Sequence, residues 1–177
     1  MKIITPSVLQ AATVTEAKTW CRVDESYTAE DGVIDLLIDS ETQYVEGHLN
    51  KVLLASTVRV KITPRGDVGV QIPTPATAIV KLEAYTDGVK TDLVSSDYEI
   101  DDHSEPHLIR PKVDEWPECD YILLDLDAGY TVDTLPKQAK LAILRRVADA
   151  YDNRGNHEAT AYTDVTVMLE SIRIPTI

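Results

Sequence analysis

A chain of 177 residues with 44% hydrophobic and 27% charged residues carries enough apolar material for a real core, in one domain or one domain with an inserted module. No apolar run reaches the roughly 18 residues of a membrane span, and the first residues lack a proper apolar signal core, so neither membrane insertion nor export is expected. The net charge of −13 argues against a protein that grips nucleic acid, because such proteins neutralise phosphates with Lys and Arg.

In chain order, a first helix is expected from Thr13 or Thr15, with Val14, Ala17, Trp20 and Cys21 at helical spacing and an end near residues 22–24. Residues 25–27 read as a loop. Thr28 and Asp31 have capping-box spacing, with Asp where Glu would serve better. A second helix of about five turns runs from there to His48. Val33, Leu36, Leu37, Ser40, Tyr44, Val45 and Leu49 lie toward one side of it. Asp35, Asp39, Glu41 and Glu46 make much of the rest acidic, and Glu30, Asp31 and Asp35 sit near the positive end of the helix dipole. The ordinary reading of such a run is a solvated face; the sharper one is a surface turned to a basic partner or a DNA passage.

Residues 53–130 are rich in β-branched residues and turn dipeptides and show no helical period. Residues 57–62 alternate as a strand, 64–67 (Pro-Arg-Gly-Asp) turn, and 68–72 return, until Pro73 and Pro75 interrupt. Residues 78–85 and 90–94 form a hairpin about Asp87-Gly88. Residues 98–100, 108–110 and 121–126 complete a compact antiparallel sheet or small sandwich, its edges guarded by charge and proline.

Residues 136–155 carry the strongest helical signal. Thr134 is the expected N-cap, Pro136 suits the first turn and Gly155 the stop. Ala139, Leu141, Ile143, Leu144, Val147, Ala148, Ala150 and Tyr151 cover half the circumference or more. Gln138, Arg145, Arg146, Asp149, Asp152 and Asn153 share the narrower polar arc, and Lys140 lies in the apolar one, where its stem can follow the surface to water. So broad an apolar face calls for cover from two directions, one of them the chain's own core and the other a further helix or a neighbouring subunit. A short tail helix, capped at Thr163 or Asp164, presents Val165, Met168, Leu169 and Ile172, and Pro175 ends it. Ile172, Ile174 and Ile177 then cover the chain's own core or dock on a neighbour. The expected fold class is therefore α+β. A discontinuous helical bundle (residues 1–52 and 131–177, two N-terminal helices plus the C-terminal ones) is interrupted by an antiparallel β module at residues 53–130.

Chemistry is sparse. No GxSxG, P-loop, HExxH or GxGxxG is present. Cys21 and Cys119 have no CxxC spacing and read as two reduced thiols. His103 and His107 stand in an acidic loop whose spacing matches no established metal site. Asp125 and Asp127 project to one face of a strand, as a hydrolase's carboxylate pair or as a polar outer face. Arg65-Gly66-Asp67 matches a cell-adhesion tripeptide but is also what a turn needs. No catalytic residue, cofactor or metal is expected.

The order of segments resembles a family. TEAKTWCRVD is followed by an acidic helix ending TQYVEGHLNKVLL. Then come PTPATAIVKLEAYTDG, SDYEID, WPECDYILLDLDAGY and finally LPKQAKLAILRRVADAYDNRG. Across nearly the whole chain this is similar to the head–tail connector (adaptor) proteins of tailed bacteriophages and prophages, phage proteins of possible DNA-packaging role. Asn50 stands where a glycine-type turn is common in them, a place Asn fills by adopting positive φ. The resemblance implies a non-enzymatic virion protein of the neck, made in the host bacterial cytoplasm and assembled as a ring of about twelve copies beneath the portal. Such a ring extends the DNA channel and offers stopper or tail-completion proteins a platform; its partners are copies of itself, the portal and those proteins, while duplex DNA passes without tight binding. Candidates for subunit or portal contact are Leu141, Leu144, Ala148, Tyr151, Arg145, Arg146, Arg154, Ile172, Ile174 and Ile177; candidates for the channel lining are Asp35, Asp39, Glu41 and Glu46. Two alternatives stand beside this. One is a DNA-binding packaging factor using Lys137, Lys140, Arg145, Arg146 and Arg154. The other is a small hydrolase built on Asp125 and Asp127 or on His103 and His107.

Overall fold

A computed structural model describes residues 2–63, 66, 68–112, 115–153 and 162–174, with only the backbone at 162–164. The chain divides into two compact units, Met1–Val8 with Ala55–Tyr130, and Leu9–Leu54 with Thr131–Ile177. The fold is α+β: among the described residues there are four α-helices, and antiparallel sheets of five and three strands.

The first unit is built from β1 (Lys2–Thr5), β2 (Ser56–Ile62), β3 (Val70–Gln71), β4 (Ala76–Thr86), β5 (Val89–Leu93), β6 (Tyr98–Asp101), β7 (Leu108–Pro111) and β8 (Tyr121–Ala128). The larger sheet runs β1-β2-β8-β4-β5 and the smaller β3-β7-β6. Alternation fixes the faces, since side chains point to opposite sides at period two. Val58 and Ile62 of β2, Ile122, Leu124 and Leu126 of β8, and Leu82 and Ala84 of β4 are buried, and their sequence neighbours carry the charge. In the smaller sheet Ile109 and Tyr98 are buried, and Tyr98 stacks on Trp116 at 5.0 Å between ring centroids. The β4–β5 hairpin turns on Asp87 and Gly88, both at positive φ (51° and 78°), as a two-residue primed turn demands. Strand β1 was not expected from the sequence. Its four residues are too few to show a period, and it exists because β2 has a free edge, which it pairs in the register Lys2 to Arg59 and Ile3 to Val58.

The second unit is helical: α1 (Val14–Cys21), α2 (Asp31–Leu49), α3 (Lys137–Asp152) and α4 (Tyr162–Leu169). Helix α3 packs on both α1 and α2, and α4 packs on α3. A full capping box opens α1, with Thr13 Oγ1 accepting from Glu16 N at 3.2 Å and Glu16 Oε2 accepting from Thr13 N at 2.9 Å. Two expected caps are not made. At α2 the N-cap is Glu30, with no side-chain bond to the helix, because Asp31 is engaged by Lys18. At α3 it is Pro136, because the Thr134 hydroxyl is tied to that of Thr131 at 2.9 Å. Asn50 closes α2 at φ 55°, the left-handed conformation expected of it. Residue 155, the expected stop of α3, lies outside the described residues; the last helical residue is Asp152. No helix among the described residues is long and apolar enough to cross a membrane.

Candidate assembly interface

The carboxylates and imidazoles that a hydrolase would use are dispersed and occupied. Asp125, at the centre of the larger sheet, takes a two-pronged ion pair from Arg59, Nε to Oδ1 at 2.6 Å and Nη2 to Oδ2 at 2.7 Å. Asp127 accepts from the Thr57 hydroxyl at 2.8 Å. On the same face Glu83 is held by Lys81 at 2.6 Å and Lys90 at 3.0 Å, which keep its carboxyl down at about 2. This face is a charge ladder laid over a sheet, with Lys61 above the Tyr121 ring, and Tyr121 stacked on Tyr85. His103 is exposed beside Asp102, whereas His107 is buried, its Nδ1 accepting from Ala76 N at 3.2 Å. An imidazole committed as an acceptor to backbone has no lone pair there for a metal. No cluster of His, Cys, Asp or Glu among the described residues is placed to hold an ion. Arg65 and Asp67 of the tripeptide lie outside the described residues.

In the helical unit the acidic character of α2 is largely spent inside. Lys18, itself buried, meets Asp31 at 2.5 Å and donates to Glu25 O at 3.1 Å. Asp35 accepts from Gln10 at 2.6 Å, and Glu30 accepts from the Tyr151 hydroxyl. Glu41 is 8% exposed and takes Arg146 Nε at 2.5 Å, while the Arg146 guanidinium lies 3.5 Å from the Tyr44 ring centroid. Glu46 turns back to accept from Leu53 N at 2.8 Å, and burial pushes its carboxyl above the usual range against the pull of the Leu53 and Leu54 amides. Of the four residues expected to line a channel, then, only Asp39 is exposed. Glu41 is corrected to a core ion pair, and Asp35 and Glu46 are half-buried acceptors.

The expected contact residues of α3 and the tail separate in the same way. Arg145 is exposed, and Leu141, Ala148, Tyr151 and Ile172 are half-buried. Leu144, Arg146 and Ile174 are buried within this chain, so as it stands they are core and not contact surface. Ile174 shows why: its N–H donates to Leu49 O at 3.0 Å, folding the tail back onto the end of α2. Arg154 and Ile177 lie outside the described residues. The basic stripe of a DNA binder is broken as well, since Lys140 pairs with Glu16 at 2.7 Å and Arg146 with Glu41.

The side of α2 read from the sequence divides in the structure. The buried residues are Ile34, Ile38, Glu41, Thr42, Val45 and Leu49, so of the seven expected on one side Val45 and Leu49 are buried and Leu37 half-buried, while Val33 (47%), Leu36 (68%) and Tyr44 (43%) are exposed. Ser40 and Gly47 are exposed on the same stripe. The signal was in the sequence: Ile34, Ile38, Val45 and Leu49 recur at helical spacing too. Helix α2 is apolar on two sides, and spacing alone does not rank them.

Residues 11–106 match the sequence model of a family described as phage gp6-like head-tail connector protein. Among solved structures, the whole chain superposes at a TM-score of 0.82 and 20% identity on a component of the neck of an empty gene transfer agent particle computed with C6 symmetry, covering 97% of that chain. In the virion of a native gene transfer agent particle the match has a TM-score of 0.82 and 20% identity, covering 99% of this chain and 96% of that one. In the neck of the native particle computed with C12 symmetry the figures are 0.67 and 18%, over 99% and 97%. At these identities the likeness is one of fold. No curated protein matches the chain.

Proposed function

The chain belongs to the phage gp6-like head–tail connector family, and from that premise we propose that copies of it close into a ring of about twelve beneath the portal of a filled, phage-like capsid. It is a structural protein, not an enzyme, and a head–tail connector of a phage-like particle. In this reading it sits in the neck of the virion, prolongs the DNA channel and offers a platform to a stopper or tail-completion protein. Residues 1–52 and 131–177 act as the connector domain and 53–130 as the inserted module. The observation that carries the reading is the family match over residues 11–106. The likeness in fold, over all of this chain, to components of necks resolved with C6 and C12 symmetry supports it.

Ring closure needs a heterologous contact, in which one surface of a copy meets a different surface of the next. On α3 the exposed or half-buried Arg145, Leu141, Ala148 and Tyr151 stay candidates for contact with a neighbour or the portal, as does Ile172 in the tail. Asp39, with Asp35 and Glu46 on its side of α2, stays the candidate channel lining. Native mass measurement and negative-stain imaging of the full chain, alone and with a portal ring, test the proposal. A closed ring or a portal-bound assembly is the expected result, and a monomer indifferent to portal rejects it. A gel shift on duplex DNA at low salt separates the packaging-factor alternative: with a charge of −13 and Lys140 and Arg146 paired, no shift is expected.

A further inference from the structure

We propose that the charged outer face of the larger sheet takes a second copy of this chain, its cations meeting that copy's carboxylates. The inference rests on the connector reading above and adds the place and chemistry of one contact. Residues opposed in register share a face of a sheet. Lys2 stands opposite Arg59, Arg59 opposite Asp125, and Asp125 opposite Lys81. Lys61 stands opposite Leu123 and Leu123 opposite Glu83, while Lys90 and Asp92 of β5 stand opposite Tyr85 and Glu83. On this face the cations Lys2, Arg59, Lys61, Lys81 and Lys90 outnumber the carboxylates Glu83, Asp92, Asp125 and Asp127, in a chain whose net charge is −13.

The charges of the face are layered. The side chains of Glu83 and Asp125 are 7% and 11% exposed, and those of Lys81, Lys90 and Arg59 above them 47%, 43% and 38%. Asp92 reaches water but is held by Lys90 at 3.2 Å, and Asp127 is exposed toward the end of β8. Lys2 and Lys61 are exposed and stand in no ion pair among the described residues; the Lys61 ammonium lies 3.9 Å above the Tyr121 ring. An incoming surface therefore meets cations first. The complement to them is carried by the same chain, because a cation-rich face on a molecule of −13 puts the surplus carboxylates on its other surfaces. Copies meeting this face to a different surface attract, whereas copies meeting like to like repel. That is also the heterologous kind of contact that closes a ring. Duplex DNA fits less well. Its affinity comes from cations free to neutralise phosphates, and here Arg59, Lys81 and Lys90 are already paired, leaving Lys2 and Lys61 for a densely charged backbone. The scattered carboxylates of a protein surface ask for no more, and the half-buried Tyr85–Tyr121 stack beside them offers the aromatic area that protein interfaces favour.

The test uses the full chain and its variants, followed by native mass spectrometry and sedimentation velocity over a concentration series at low and high salt. Lys2→Glu combined with Lys61→Glu reverses the unpaired cations of the face. Lys137→Glu combined with Lys112→Glu makes the same change in net charge at exposed lysines away from it, as a control. All four sites are open in the single chain, so circular dichroism and melting should change little. Wild type and the control should assemble alike and weaken together as salt rises, and the face variant should assemble at least about tenfold more weakly at low salt. Carbodiimide coupling of isotope-mixed wild-type copies should join Lys2 or Lys61 to an Asp or Glu of another copy. Assembly of the face variant at wild-type concentrations overturns the inference and leaves the connector reading intact. A low-salt shift of duplex DNA by wild type that the face variant loses also overturns it, assigning the face to phosphate. Wild-type growth that stops at a dimer and is lost in the face variant upholds the face but rejects the ring. A wild type that stays monomeric at every concentration rejects both.

Discussion

The two units handle charge in opposite ways. In the β unit the ion pairs lie on the outer face of the larger sheet, where Arg59 and Asp125, and Lys81, Glu83 and Lys90, bridge neighbouring strands with one partner reaching water. In the helical unit the charges are drawn between the helices. Arg146 and Glu41 join α3 to α2 with side chains 6% and 10% exposed, and Lys18 joins α1 to the start of α2. A charge on the sheet's surface leaves the apolar face beneath it undisturbed. A charge pulled between helices is spent inside the unit, and of the carboxylates at Asp35, Asp39, Glu41 and Glu46 only that of Asp39 stays exposed on α2.

The contrast breaks most sharply at the Glu41–Arg146 pair. Removing one partner of a buried pair leaves the other charge uncompensated, so Glu41→Ala should cost about 3–5 kcal/mol of stability. Replacing both partners with Met and Leu should restore most of it, because apolar side chains of similar volume escape the desolvation cost that the pair carries. Urea denaturation followed by far-ultraviolet circular dichroism measures both. If the single variant loses no more than a surface change does, the charges are not buried as described.

A smaller effect decides which face of α2 is the core. Ile38→Ala removes a fully buried side chain and should cost about 2–5 kcal/mol, whereas Leu36→Ala at a site 68% exposed should change stability by about 0.5 kcal/mol or less. The same denaturation curves compare them, and equal losses would mean that Leu36 is already covered within one chain.

That choice of face is also where reading the sequence alone stopped. Strands announced themselves by alternation along residues 57–62 and as a short apolar run at 121–126, and the Asp87-Gly88 turn and Asn50 were legible from their backbone demands. The discontinuous helices were legible from period and punctuation. Burial on α2 was legible only in part: Val45 and Leu49 lie on the side read from the sequence and are buried, but Val33, Leu36, Ser40 and Tyr44 on that side recur as regularly as Ile34 and Ile38, which are the residues that join them in the core. What settles it is Arg146, distant in sequence, which needs a carboxylate opposite it and finds Glu41 on the second stripe. Pairings of that kind leave no local pattern, and the inward turn of Asp31, Asp35 and Glu46 was hidden for the same reason. Acidic residues on a helix read as solvated until their donors on other elements are placed.

The subtlest difference between the units is the sign of their response to acid. Glu83, held at about 2 by Lys81 and Lys90 against an ordinary 4.5, contributes stability that is present above 4.5 and lost as pH falls through about 2. Glu46 is shifted the other way by burial, so its ionised form weighs against folding and that burden lifts as pH falls through its raised value. Glu83→Gln should therefore flatten the acid-side loss of the β unit. Glu46→Gln, which keeps an oxygen for the Leu53 amide, should raise the stability of the helical unit at neutral pH and reduce its gain on acidification. The two tryptophans of the chain separate the readouts, because Trp116 stacks on Tyr98 in the β unit and Trp20 belongs to α1. Fluorescence melts of Trp20→Phe and Trp116→Phe backgrounds between pH 2 and 7 follow one unit each, over a range set by the two shifts. Curves for the two Glu→Gln variants that bend in the same direction would show that the carboxylate of Glu46 is solvated after all, and that the helical unit does not draw its charges inward at that end of α2.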